Sequence, residues 1–304
     1  MRSLMVLFFI VGIVELSAAQ HLTEENYNQI KLIETVLKNH SDSIINANSW
    51  MQRFNSDADL TRSLVMALKT PYSFYYPFDS VYISTLYAPD SSFRIFTWQI
   101  MKDLSYYRQR GAIQMNTKDG SLKLYPLFDV SDFTDNPNDS IREATRWIGA
   151  VYYKIILKNY NNKKYYTLLG TDENNERTNL KWLDVLTFNQ EGKPQFGYNG
   201  FVYNDKDITK PKRPCYRFSL EFRKNGGARI RYDDKLDVII FDRLFSEGND
   251  PQTKSTLIPY GDYEGFRWIN GKWIFTATPF EALELEEKPN IFPKPFLDKI
   301  PKKE

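Results

Sequence analysis

Histidine, cysteine and long apolar runs are scarce in this chain. The two histidines, His21 and His40, both lie near the N-terminus. A Ser-His-Asp or Cys-His hydrolase would have to bring one of them to a nucleophile far along the chain. Zinc meets the same shortage, because thiolate sites need several cysteines and the familiar catalytic sites use two or three histidines. The one cysteine, Cys215, cannot form an internal disulfide. It follows Pro214 at the start of a predicted strand, with no histidine near it in sequence, and reads as a small buried apolar residue rather than a nucleophile. Charge of one sign is lacking as well. With 40 basic and 38 acidic residues the net charge is +2, which supplies no long-range field for nucleic acid or an anionic membrane. The short basic run Lys210, Lys212, Arg213 beside Pro211 and Pro214 reads as a solvated loop. No Gly-x-Ser-x-Gly, Ser-x-x-Lys, His-Glu-x-x-His, phosphate loop or Gly-x-Gly-x-x-Gly occurs. The expectation is therefore a chain without cofactor or metal, leaning away from catalysis.

The single long apolar run is Leu4–Val14, eleven residues preceded by Arg2 and followed by Ser17, Ala18 and Ala19. That order of charged, apolar and small segments is the secretory pattern. The run is shorter than the roughly 20 apolar residues a membrane span needs. The reading is a signal peptide over 1–19, a mature chain from Gln20, and no membrane span after signal removal.

Helical spacing comes next. Thr23 can cap a helix opening at Glu24 and Glu25, and Ile30, Ile33, Val36 and Leu37 recur along one side until Asn39–Ser43 breaks the pattern. A second helix is predicted over Asp59–Lys69, with Ile44–Phe54 adding a helical stretch between them. From about Val81 the period becomes two. Phe218, Leu220 and Phe222 alternate with Arg217, Ser219, Glu221 and Arg223, as in an antiparallel sheet wetted on one side. Leu236–Phe241 is more continuously apolar and reads as a central strand. Asn270-Gly271 between two such runs predicts a two-residue hairpin. Asn225-Gly226-Gly227, Asp119-Gly120, Glu191-Gly192 and Asn159–Lys163 mark further reversals. The organisation is a helical segment over 20–76, an antiparallel β domain over 77–278 and an acidic, proline-rich tail over 279–304. The fold class is α+β, mainly antiparallel β as a meander, sandwich or curled sheet behind an N-terminal helical segment. A small propeller-like arrangement is the alternative.

What the chain has in surplus is aromatic residues: 21 Phe, 20 Tyr and 6 Trp. They suit strands, and their flat apolar faces with polar edges also suit sugar or protein surfaces. Arg94 and Trp98, on one face of Phe93-Arg94-Ile95-Phe96-Thr97-Trp98, form a candidate ligand surface or a cation–aromatic pair holding the sheet. Asp184, Asp237 and Asp242 lie on or beside apolar strands and are the first carboxylates to inspect for the pair a glycosidase requires, with strand-end charge as the plainer reading. Asp172, Asn174 and Glu176 alternate as a calcium loop begins, yet the sixth and twelfth positions are Arg177 and Leu183 where an EF-hand needs Gly and Glu.

The order of several short segments carries a resemblance. Pro77-Phe78-Asp79-Ser80 and Pro89-Asp90 lead into Phe93–Trp98. Tyr165–Gly170 leads to Asp184–Phe188. Arg231-Tyr232-Asp233 leads to Val238–Asp242, and Asn270-Gly271-Lys272-Trp273 follows. Over roughly Pro77 to Phe275 this resembles an uncharacterised family of exported proteins of Bacteroidota. The resemblance implies a periplasmic or secreted setting and transfers no catalytic residue. Met101–Arg110 departs from it, being charged and tyrosine-rich where a glycine-rich turn is expected. The first functional expectation is an exported, non-catalytic binding or envelope-associated protein with a glycan or another envelope protein as partner. The alternatives are a carboxylate-dependent hydrolase acting on glycans and an accessory subunit of an envelope assembly.

Overall fold

A computed structural model of the chain describes residues 22–204 and 206–281. The leader read over 1–19, His21 and all of the tail beyond Glu281 lie outside the described residues. Helix α1 spans Glu24–Asn46, and the Thr23 hydroxyl accepts the Asn26 amide at 3.2 Å. The break expected at Asn39–Ser43 does not occur. Ser41 returns its hydroxyl to the Lys38 carbonyl and accepts the Tyr82 amide, while Ile44 continues the buried stripe of Ile30 and Leu37. Ser41 is thus satisfied by the helix and by the segment packed on it, and burial of Ile44, worth about 1.5–3 kcal/mol, favours one more turn. Helix α2 spans Trp50–Leu68, longer at its start than predicted. Arg53 binds the Ala47 carbonyl at the end of α1 and the Met101 and Lys102 carbonyls of the adjoining sheet. No described helix is long and apolar enough to cross a membrane.

Fifteen strands follow: β1 Ser84–Tyr87, β2 Phe93–Asp103, β3 Tyr106–Met115, β4 Leu124–Phe128, β5 Arg142–Glu143, β6 Val151–Tyr160, β7 Lys163–Asp172, β8 Thr178–Phe188, β9 Pro194–Phe196, β10 Phe201–Val202, β11 Phe218–Arg223, β12 Ile230–Asp233, β13 Val238–Ser246, β14 Leu257–Ile269 and β15 Lys272–Thr276. They form three sheets. The first is the meander β1-β2-β3-β4; the second is β5-β9-β8-β7-β6 with β11 added along β8; the third is β10-β15-β14-β13-β12. Pairing is antiparallel except between β10 and β15. None closes into a barrel. The fold is α+β and mainly antiparallel.

The layers run helices, first sheet, second sheet, third sheet, with a core between each pair. Phe96, Trp98 and Ile100 of β2 face the helices, while Phe93 and Ile95 face the second sheet. The central strands β7 and β8 of the second sheet are buried on both faces over most of their length. Tyr166, Leu168, Trp182 and Leu186 pack toward the first sheet, and Tyr165, Leu169, Leu183 and Val185 pack toward the third. Its central strands are apolar on both sides for that reason, which is the pattern of a sheet buried between layers.

The turn signals resolve into two kinds. Asn270 and Gly271, at φ 49° and 79°, link Ile269 to its partner Lys272; Asn161 and Asn162, at φ 48° and 58°, link Tyr160 to Lys163. Both are two-residue hairpins that need left-handed backbone. Asn225-Gly226-Gly227 instead carries the chain from β11 in the second sheet to β12 in the third. Cys215 is fully buried, and burial pushes its thiol up to about 11.

Candidate functional site

Arg94 and Trp98 lie on one face of β2, both buried under the helices. The Arg94 guanidinium donates to Gln114 Oε1 at 2.8 Å, to the Tyr87 hydroxyl at 2.8 Å and to the carbonyls of Ser73 and Tyr76. Rings of Phe74, Phe78, Tyr87 and Phe96 surround it at 4.8–5.6 Å. Burial pulls its pKa down to about 10, so it stays charged at neutral pH. Trp98 takes a separate partner: its indole donates to Asp57 Oδ1 at 2.8 Å, and Arg110 holds Asp57 Oδ2 at 3.0 Å. The two residues share a face, as the sequence suggests, and each ties the helical layer to the first sheet.

The three carboxylates singled out in the sequence serve different partners. Asp184 is buried between the first and second sheets, where it accepts from Arg217 Nε at 3.1 Å and from the Val185 amide at 2.8 Å. Arg217 spends its remaining donors on the carbonyls of Pro137, Ser140 and Phe196. Above them Trp147 donates to the Tyr152 hydroxyl at 2.9 Å; burial and the Asp184 charge hold that hydroxyl well above its ordinary pKa. Asp237 sits at φ 50° in the turn before β13, bound to Lys158 and Tyr232. Asp242 accepts the Arg229 amide at 2.6 Å.

Asp172, whose loop departs from the calcium pattern at Arg177 and Leu183, is buried. Its carboxylate caps the Asn174 amide at 2.8 Å and accepts from Gln109 Nε2 at 2.5 Å, while Glu176 stays exposed beside Arg177. The Gln109 amide in turn donates to Asp129 Oδ2 at 3.2 Å. Asp129 also accepts from Ser131 and from the Gly149 amide, and a Cβ at Gly149 would come within 2.6 Å of that carboxylate. Burial, with the Asp129 charge adding to it, raises the Asp172 pKa to about 7.

An accessible arrangement of rings and charged groups lies on the third sheet beside the β13–β14 irregularity. The β13–β14 register jumps from Asp242–Tyr263 to Leu244–Pro259, so Tyr260, Gly261 and Asp262 bulge out opposite Arg243. Gly261 takes φ 103° there. Beyond β15 the chain folds back over the same sheet. Arg267 binds the Pro279 carbonyl at 3.0 Å and also the Glu281 carbonyl. Gly265 makes room for this return, since a Cβ there would sit 3.0 Å from Pro279. Between bulge and return lies a cleft of about 350 Å³, bordered by Arg243, Asp262, Tyr263, Glu264 and Phe280. Tyr263 and Phe280 meet edge to face at 5.5 Å and remain 43% and 49% exposed. Tyr260, 57% exposed, meets Phe245 edge to face at 5.2 Å and has the Arg243 guanidinium 5.5 Å from its ring centre. Exposed rings beside carboxylates and a guanidinium can cover the C–H face of a sugar and bind its hydroxyls at once. The aromatic surplus pointed to such a platform without locating it, because Tyr263 meets Phe280 only through the returning chain.

No protein-family model, curated protein or solved structure matches this chain.

Proposed function

We propose that this is an exported, non-catalytic binding protein, periplasmic or secreted, that takes a glycan across this cleft of the third sheet. The observation that carries the reading is the pair of exposed rings Tyr263 and Phe280 lining a cleft that also presents Asp262 and Arg243. Residues 1–19 support the exported setting through their charged, apolar and small segments. The resemblance to exported Bacteroidota proteins agrees with it.

A hydrolytic reading of the same cleft has one feature in its favour: Asp262 and Glu264 both line it, and glycosidases work with two carboxylates roughly 5–10 Å apart. Glu264 is bound to Lys210 at 2.8 Å. In the accessory-subunit reading the same exposed rings would meet a protein partner instead.

Thermal melting of the mature chain against a glycan panel separates these readings. A glycan at 100 times its Kd adds about 2.7 kcal/mol, a rise of roughly 5–10 °C for a chain of this size. The expected result is such a shift with one glycan class, lost in Tyr263→Ala and Phe280→Ala. Turnover of the bound glycan, abolished by Asp262→Asn, would replace binding with hydrolysis. No shift with any glycan would overturn the glycan reading.

A further inference from the structure

We infer that a second cavity, built by the loops at 206–212 and 252–254, is a binding site for a ligand carrying two or more negative charges on phosphate or sulfate groups. The cavity encloses about 570 Å³ and is lined by Lys206, Lys210, Lys212 and Lys254, with Asp207 and Gln252 among the other walls. Its walls are anchored. Asp207 caps Thr209 through both amide and hydroxyl, at 3.0 and 2.7 Å, and the Tyr203 hydroxyl binds the Pro211 carbonyl at 2.9 Å. Lys254 Nζ reaches across from the β13–β14 connection to the Ile208 carbonyl at 2.9 Å and fastens the two loops together.

The charge distribution distinguishes this cavity from an ordinary solvated loop. Lys210, read from sequence as solvated, is buried with only 3% of its side chain exposed. It is paired with both Asp207 and Glu264 and lies 5.0 Å over the Phe275 ring. Both carboxylates are therefore spent on one lysine. Lys210 takes Asp207 and Glu264, Lys254 lies near Glu221 and Asp207, and Lys206 and Lys212 have no carboxylate partner among the described residues. Lys206 and Lys212 are exposed, and their ammonium groups bind no partner among the described residues. Lys254 offers its remaining N–H groups, and burial already lowers its pKa against the pull of Glu221 and Asp207. Like charges held around one space repel, and a compact multivalent anion relieves that repulsion while gaining charge-assisted hydrogen bonds. Lysine ammonium groups are point charges suited to tetrahedral oxyanions from several directions.

This site is separate from the aromatic cleft. The Lys210–Glu264 pair is their common wall, with Glu264 lining the cleft and Lys210 lining the cavity. The experiment is calorimetric titration of the full mature chain with pyrophosphate and, in parallel, with sulfate, at low and at raised ionic strength. Saturable pyrophosphate binding is expected, weakened by salt and weakened at least about tenfold in Lys206→Ala/Lys212→Ala/Lys254→Ala. Lys206→Glu/Lys212→Glu, which leaves both inner lysines in place, should abolish it without unfolding the chain. Sulfate binding as tightly as pyrophosphate would assign the site to sulfated as well as phosphorylated ligands; much weaker sulfate binding would assign it to phosphate alone. Tyr263→Ala should bind pyrophosphate normally, so this outcome is independent of the glycan reading. Absence of saturable binding by either anion, or binding unchanged in both lysine variants, overturns the proposal.

Discussion

Gln109 of β3 donates its side-chain amide to Asp172 of β7 at 2.5 Å, while its backbone amide is held by Asp129, so one residue of the first sheet carries a carboxylate of the second beside a carboxylate of its own sheet. The arrangement is one of several polar contacts across this layer boundary, with Tyr152 N donating to Thr97 Oγ1 and the Tyr166 hydroxyl donating to Asp90 among the others. It also gives the fold its clearest dependence on pH.

The Asp172 carboxyl titrates near 7 in the folded chain against 3.8 in the unfolded one. Its folded pKa is raised, so between these values the folded state keeps a proton that the unfolded state has lost. The contribution of Asp172 to stability is then largest at the acid end and falls as pH rises from about 4 to about 7, by an amount on the order of a few kcal/mol. Above that window both states are ionised and the dependence ends. Asp172→Asn should remove the fall, leaving a variant more stable than the parent at about pH 8 and similar near pH 4. Urea denaturation across the range measures this. A parent chain whose contribution from this residue rises with pH would contradict it.

Arg217 and Asp184 form a pair with both side chains almost wholly buried. Arg217→Met would leave the Asp184 charge uncompensated and three carbonyls without their donor, at a cost of about 3–5 kcal/mol. Arg217→Lys should recover little of it, because a single ammonium cannot reach the directions the guanidinium fork serves. Replacing both partners, as Asp184→Leu/Arg217→Met, should cost less than removing Arg217 alone. Equilibrium unfolding of the three variants tests the order.

Arg94 and Trp98 act on the seam between helices and first sheet. Arg94→Met removes one donor each from the Ser73 and Tyr76 carbonyls and leaves Gln114 Oε1 without its guanidinium partner, and Trp98→Phe removes a donor from Asp57. Each loss should lower stability by about 1–3 kcal/mol or more. Neither change should alter a glycan-dependent melting shift, whereas Tyr263→Ala should remove that shift with little effect on stability. A shift lost in Arg94→Met under conditions where the variant is folded would return the ligand surface to β2.

Local backbone preference explains which features were legible from the sequence. Thr23 caps its helix, and Asn270-Gly271 makes its hairpin, because each depends on a few neighbouring atoms and on the dihedral angles those residues accept. The alternation of Phe218, Leu220 and Phe222 likewise reports one strand with one face buried. The end of α1 was misread because the satisfaction of Ser41 comes partly from Tyr82, far along the chain. The candidate sites were legible only as composition: many aromatic residues, a short basic run, several acidic residues near strands.

By itself, then, the sequence determined the helical start, the antiparallel strand content, the tight hairpins and the burial of Cys215, all consequences of period and local conformation. Only the tertiary structure decided that the second sheet lies between two others, that Arg94 is enclosed by four rings, and that Lys254 and Lys212 border one cavity. Those outcomes depend on contacts between residues tens of positions apart. Such contacts are set by how whole layers bury their apolar faces and by which buried charge finds a partner.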